Sequence, residues 1–290
     1  MAYEMHEYLV APARKRPQLW RLVCGLFLGC FIYVALLVGF FAGLGLFGLG
    51  DADTMFAGRT QFSTLVLLGS FLCMSLGVWL AAKALHGRDF TSLIGPYSQA
   101  LRDFWSVFKI CGVLLGLSFL LPTPNGIEIL DNVPFQAWLM VLPVAIVLLF
   151  IQVSAEELVF RGYFQSQLAA RFKSPLIWLV VPAVVFGVIH YDPAAAGVNA
   201  PLIALWAIFY GLMLGDITAR AGNLGPATAL HFLNNTAALL IISAQGDLSG
   251  LALYSFPFDT SNTEMMRQML PIELALMVVM WLGARLAIKR

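Results

Sequence analysis

The chain has 290 residues, of which 60% are hydrophobic and 11% charged, and its net charge is +1. Ordinary soluble domains carry roughly 45–50% apolar and about 25% charged residues, so a soluble globular class is excluded. With no dense basic block, nucleic acid is excluded as a partner. The apolar residues fall in uninterrupted blocks, each near the roughly 20 residues that a helix needs to cross about 30 Å of hydrocarbon. The fold class this predicts is all-α: a polytopic protein of the lipid bilayer.

In chain order, eight candidate spans cover 19–49, 62–85, 105–121, 136–160, 175–191, 200–219, 226–244 and 269–287. The first block is too long for the core of a signal peptide and ends without a small-residue cleavage site, so it reads as a retained span. Short polar or Gly/Pro-bearing connections join the spans, and none is long enough for a separate domain. Placing both termini in the cytoplasm puts Arg14, Lys15, Arg16, Arg21, Lys83, Arg88, Arg102, Lys109, Arg161, Arg171, Lys173, Arg220, Arg285, Lys289 and Arg290 on that side. Only Arg59 and Arg267 then lie outside. Basic residues concentrate on the cytoplasmic side of membrane proteins, and a division of 15 to 2 selects this orientation. Cys24, Cys30, Cys73 and Cys111 all sit in apolar blocks with no CxxC spacing, which argues against a disulfide framework or a thiolate metal site.

An ionisable group inside a span is costly and marks a functional site by default. Glu156, Glu157, Arg161, His190, Asp216 and His231 are such groups, with Asn234 and Asn235 as neutral companions; His6 and His86 fall in ordinary polar segments. On a helix, Glu157 and Arg161 are four apart and can form an ion pair in the favourable order. Glu156 points about 100° away from Glu157 and is left facing something else. Asp216 and Arg220 read as an ordinary helix-end pair. His231 and Asn235 share a face, as do Phe186 and His190. Glu156 lies 18 residues before Ser174 and His190 lies 16 after it. A helical hairpin folded at Ser174-Pro175 therefore brings the two to nearly one height.

A carboxylate, two imidazoles and an amide converging in an apolar cavity suit hydrolysis by an activated water. Glu156 is then a general base, with His190 orienting the water, and His231 and Asn235 donate to a tetrahedral oxyanion. A catalytic metal held by Glu156, His190 and His231 uses the same residues. A serine mechanism lacks its GxSxG elbow.

"EELVFR" at 156–161, "FGVIH" at 186–190 and "HFLNN" at 231–235 match EExxxR, FxxxH and HxxxN. Together and in this order they resemble the CPBP intramembrane peptidases, the family of the type II CAAX prenyl endopeptidases, also called ABI proteins. The resemblance implies an endopeptidase acting within or beside the bilayer. Its catalytic residues would be Glu156, His190, His231 and Asn235, supported by Glu157 and Arg161. It leaves open whether a divalent metal such as zinc takes part. It divides the chain into an N-terminal membrane region of three spans (1–135), a peptidase core (136–245), and an outer loop with the last span (246–290). The partner it implies is a membrane-anchored or lipidated peptide or protein, and the location is an integral membrane protein, in the inner membrane if the source is bacterial. Two readings of other classes stand beside it: a non-catalytic scaffold with a peptidase-like fold, and a proton-coupled transporter. The transporter lacks the internal repeat and paired broken helices that such folds carry.

Overall fold

The computed structural model describes residues 3–123 and 126–289. Arg290, counted among the cytoplasmic basic residues, lies outside the described residues, as do Pro124 and Asn125 of the third connection. The described chain is a bundle of helices: α1 (Glu7–Ala13), α2 (Leu19–Leu46), α3 (Ala52–Ala57), α4 (Gln61–Ala81), α5 (Thr91–Ile94), α6 (Tyr97–Ser118), α7 (Phe135–Glu157), α8 (Ser166–Arg171), α9 (Pro175–Val188), α10 (Pro193–Ala196), α11 (Ala200–Ala221), α12 (Gly225–Thr236) and α13 (Thr263–Ile288). Local chemistry sets many of the boundaries. Thr60 and Ser63 form a reciprocal capping box at the start of α4. Proline stands in the first turn of α9, α10, α11 and α12, where its missing N–H is one of the unpaired donors in any case.

A helix or helix-like segment occupies each of the eight expected places, but among the described residues only five helical stretches are long and apolar enough to span. These are Leu19–Leu46, Gln61–His86, Phe135–Arg171, Pro193–Ala221 and Thr263–Ile288. The other three fall short for separate reasons. α6 carries Arg102, Asp103 and Lys109. α9 has 14 residues, about 21 Å at 1.5 Å per residue. α12 with its continuation reaches only from Gly225 to Ile241. The sequence pattern also gives no hint of a small sheet. Leu130–Asp131 (β1), Ile242–Ser243 (β2) and Tyr254–Ser255 (β3) pair in the order β1-β3-β2. Two-residue strands are too short to show alternation.

α7 does not stop at Glu157. A π-helical segment, Leu158–Gln165, joins it to α8, so one helical rod runs from Phe135 to Arg171. Its 37 residues reach about 55 Å, well past the hydrocarbon thickness of about 30 Å. α2 packs on α4, α4 on α7, α9 on α11, and α6 on α12 and α13. α2 leaves many large apolar side chains on its outer surface, as a lipid-facing helix does. α12 is the opposite case: every residue from Gly225 to Leu233 is buried, so it forms the centre of the bundle.

The N-terminal residues pack against one end of this bundle. Gly222 ends α11 at φ +71°, and a Cβ there would lie 2.0 Å from the Met5 carbonyl oxygen. His6 and His86, expected in polar segments, are both buried; His6 packs at a tilt on Trp178 and His86 edge-on to Tyr163. The polarity of a linear segment does not report a later docking of that segment onto the bundle. The cysteines are free; Cys24 and Cys30 are exposed, and Cys111 is buried between α6 and α13.

Candidate active site

The rod from α7 to α8 and the central helix α12 supply most of the site. Glu156 and Glu157 end the α-helical part of the rod, and Arg161 lies in the π-helical segment that follows. Single-turn π insertions recur at functional sites because they shift side chains relative to the regular helical register. Arg161 donates from Nη1 to Glu157 Oε1 at 2.9 Å and from Nη2 to the Gly211 carbonyl of α11 at 3.2 Å. Both members of this ion pair are buried, with side-chain exposures of 2% and 0%. The Phe186 ring lies 4.8 Å from the guanidinium carbon, covering its face.

Glu157 has a second partner that helix spacing alone does not reveal. His231 of α12 donates from Nδ1 to Glu157 Oε1 at 2.8 Å. That bond fixes the proton on Nδ1 and turns Nε2 toward Glu156, whose Oε2 lies 3.5 Å away. The imidazole therefore stands between two carboxylates, one of which is also paired with an arginine. Glu156 is held on its other oxygen by Gln152, which donates from Nε2 at 2.7 Å. Asn235 donates from Nδ2 to Gln152 Oε1 at 3.0 Å, and Asn234 donates to Asn235 Oδ1 at 3.2 Å. A chain of amides thus runs from α12 to Glu156. Tyr210 of α11 packs its ring edge-on to His231, with centroids 5.7 Å apart.

His190 occupies a different position. It lies in the turn after α9, half-buried, and donates from Nδ1 to the Phe186 carbonyl at 2.7 Å. The Phe186 ring lies 4.6 Å from the His190 ring and 6.2 Å from the His231 ring, so one phenylalanine touches both imidazoles. Among the described residues no hydrogen bond or ion pair joins His190 to Glu156 or His231, and no group of three or more His, Cys, Asp or Glu is placed to hold a metal ion. The set Glu156, His190 and His231 does not converge as ligands. Asp216 pairs with Arg220 at 2.9 Å and also accepts from Tyr3 at 2.7 Å and Trp281 at 3.0 Å, away from the cluster.

Two residues of the site were passed over in the sequence. Gln152 carries a signal: it is polar, lies inside an apolar run and stands one helical turn before Glu156. Tyr210 carries none, since tyrosine is common in membrane helices.

The fold and the cluster define a helical membrane protein built around a buried Glu-His-Glu arrangement. Residues 137–237 match the family described as Rce1-like, type II CAAX prenyl endopeptidase, and this stretch contains all three motifs. A curated relative, "Uncharacterized protein YyaK" of Bacillus subtilis (strain 168), is 26% identical over 180 residues, which is 60% of this chain and 59% of that protein. The chain thus matches about three fifths of the length of that relative. No solved structure matches the chain. The long apolar helices and the family match mark it as an integral membrane protein.

Proposed function

We propose that this protein is an intramembrane endopeptidase that hydrolyses a peptide bond of a membrane-anchored or lipidated peptide, with Glu156 activating the attacking water. The observation that carries the reading is His231 held between the two carboxylates, inside the stretch that matches the peptidase family.

In this mechanism a water beside Glu156 loses a proton to the carboxylate as its oxygen bonds to the scissile carbonyl carbon. The carbonyl oxygen becomes an oxyanion, which the second N–H of Asn235 stabilises when substrate is in place, and to which His231 would add an Nε2–H only in its doubly protonated form. Glu156 then returns the proton to the departing amine as the C–N bond breaks. Glu157 acts through His231, accepting from its Nδ1–H and keeping its ring oriented, much as a buried carboxylate orients the histidine of a triad. Arg161 balances the charge of Glu157. His190 approaches the substrate from the far side of Phe186, where its Nδ1–H bond leaves Nε2 free to accept. The orientation with both termini in the cytoplasm places the protruding end of the rod on the cytoplasmic side.

The test is cleavage of a library of membrane-anchored peptides by purified protein in nanodiscs. Wild type is expected to cleave, and Glu156→Gln, which keeps the shape of the side chain, is expected to lose about 100-fold or more in rate. A chelator arm reads whether a divalent metal such as zinc takes part. Equal rates from wild type and Glu156→Gln would remove the glutamate from the mechanism. Binding without cleavage by folded wild type would leave the fold as a scaffold.

A further inference from the structure

A second feature lies across Tyr210 from the cluster. A cavity of about 370 Å³ opens between α6, α11, α12 and α13. That is within the range of about 300–1,000 Å³ that small-ligand sites occupy. Its wall is mostly apolar and includes five methionines, side chains that adapt to the shape of a guest. Glu156, His190, His231 and Asn235 are not among its lining residues, and the cavity meets the cluster only through Tyr210 and Asn234, which line it.

One charged side chain lines this cavity among the described residues, Glu273 of α13. It sits seven residues after Met266, four before Met277 and seven before Met280, all three of which are buried. This places Glu273 on the inward stripe of the helix. Its side chain nonetheless stays accessible, because what it faces is the open cavity. No hydrogen bond or ion pair reaches its carboxylate among the described residues. The wall holds further unmatched polarity: among the described residues the hydroxyls of Tyr210 and Ser243 and the indole N–H of Trp206 have no hydrogen-bond partner, and Tyr210 and Ser243 are only 4% and 7% exposed. A lone carboxylate midway along a spanning helix is costly unless something of opposite charge meets it. No lysine, arginine or histidine of the lining does so.

We propose that this cavity is a binding site for a small amphiphile of long-chain ammonium chemistry, its apolar chain against the methionines and its positive head on Glu273. The inference stands apart from the proteolytic reading, since it concerns binding alone. Trp206 and Trp281 line the cavity and report on it.

The experiment titrates protein in zwitterionic nanodiscs with bromododecyl-trimethylammonium and reads tryptophan quenching, beside neutral bromododecanol of the same chain length. Wild type is expected to show saturable quenching by the cation, and Glu273→Gln to need about tenfold more of it, while the neutral probe quenches both proteins alike. Ala238→Trp, which fills the cavity from α12's continuation, is expected to block the saturable component, measured relative to its own unquenched signal. Equal curves for the cation in wild type and Glu273→Gln would overturn the assignment, leaving an apolar void. Saturable quenching that persists in Ala238→Trp would place the site elsewhere and overturn it as well.

Discussion

Gln152 shows how much of a buried site depends on a neutral side chain. It donates to Glu156 and accepts from Asn235, so one amide couples α7 to α12. Removing it leaves a carboxylate oxygen and an amide N–H unpaired in a buried place, each a loss of about 1–3 kcal/mol. The expected outcome for Gln152→Leu is a kcat lowered by about 10–100-fold with KM little changed, because each 1.36 kcal/mol is tenfold in rate. Steady-state cleavage of any peptide that wild type accepts checks this. An unchanged kcat would mean that Glu156 needs no help in holding its position. Glu157 belongs to the same argument: spacing on the helix identifies its bond to Arg161, but its bond to His231 crosses 74 positions of sequence and follows only from the packing of α12 against the rod.

At the scale of elements, the π-helical segment decides where Arg161 points, and Gly162 allows that segment to pack. A Cβ on Gly162 would lie 2.5 Å from the Leu93 carbonyl oxygen of α5. A backbone atom cannot move aside as a flexible side chain can, so Gly162→Ala is expected to cost about 1–3 kcal/mol. Gly39 in α2 is the control, since a Cβ there meets nothing within 4 Å. Gly39→Ala is expected to be neutral or to stabilise by about 0.5–1 kcal/mol through helix propensity. Thermal unfolding of the two variants in one detergent separates them, and similar midpoints would refute the packing argument. The same elements show what the sequence makes legible. Long apolar blocks announce α2, α4, α7, α11 and α13, because length and hydropathy are local properties. The i,i+4 pairs Glu157–Arg161 and Asp216–Arg220 are equally local, and both form. The π segment, the two-residue strands and the sharing of Phe186 by two imidazoles are set by contacts between distant elements, which periodicity does not encode. The height count that paired Glu156 with His190 treats a hairpin as two straight rods. In the structure α9 ends at Val188, and His190 turns back onto its own Phe186 carbonyl.

For the whole molecule, the N-terminal segment is a clasp across the end of the bundle. Tyr3 donates to Asp216 of α11, which also binds Arg220 and Trp281 of α13, and burial beside Asp216 pushes the Tyr3 phenol up to about 12. His6 is buried on Trp178 of α9, and burial, with Arg14 near by, holds its imidazole down at about 4 against an ordinary 6.5. Between these two values the undocked segment binds a proton and the docked one does not. Docking is therefore strongest above pH 6.5 and weakens as pH falls toward 4, by on the order of 3 kcal/mol over the range. Hydrogen exchange at the buried residues Leu9, Val10 and Ala13, corrected for the intrinsic rate, is expected to quicken between pH 7 and pH 5 in wild type. His6→Phe keeps an aromatic ring against Trp178 and removes the titration, so its protection is expected to stay flat over the same interval. If wild type is equally flat, the segment is held by the Tyr3 network alone, and the histidine is an ordinary packing residue.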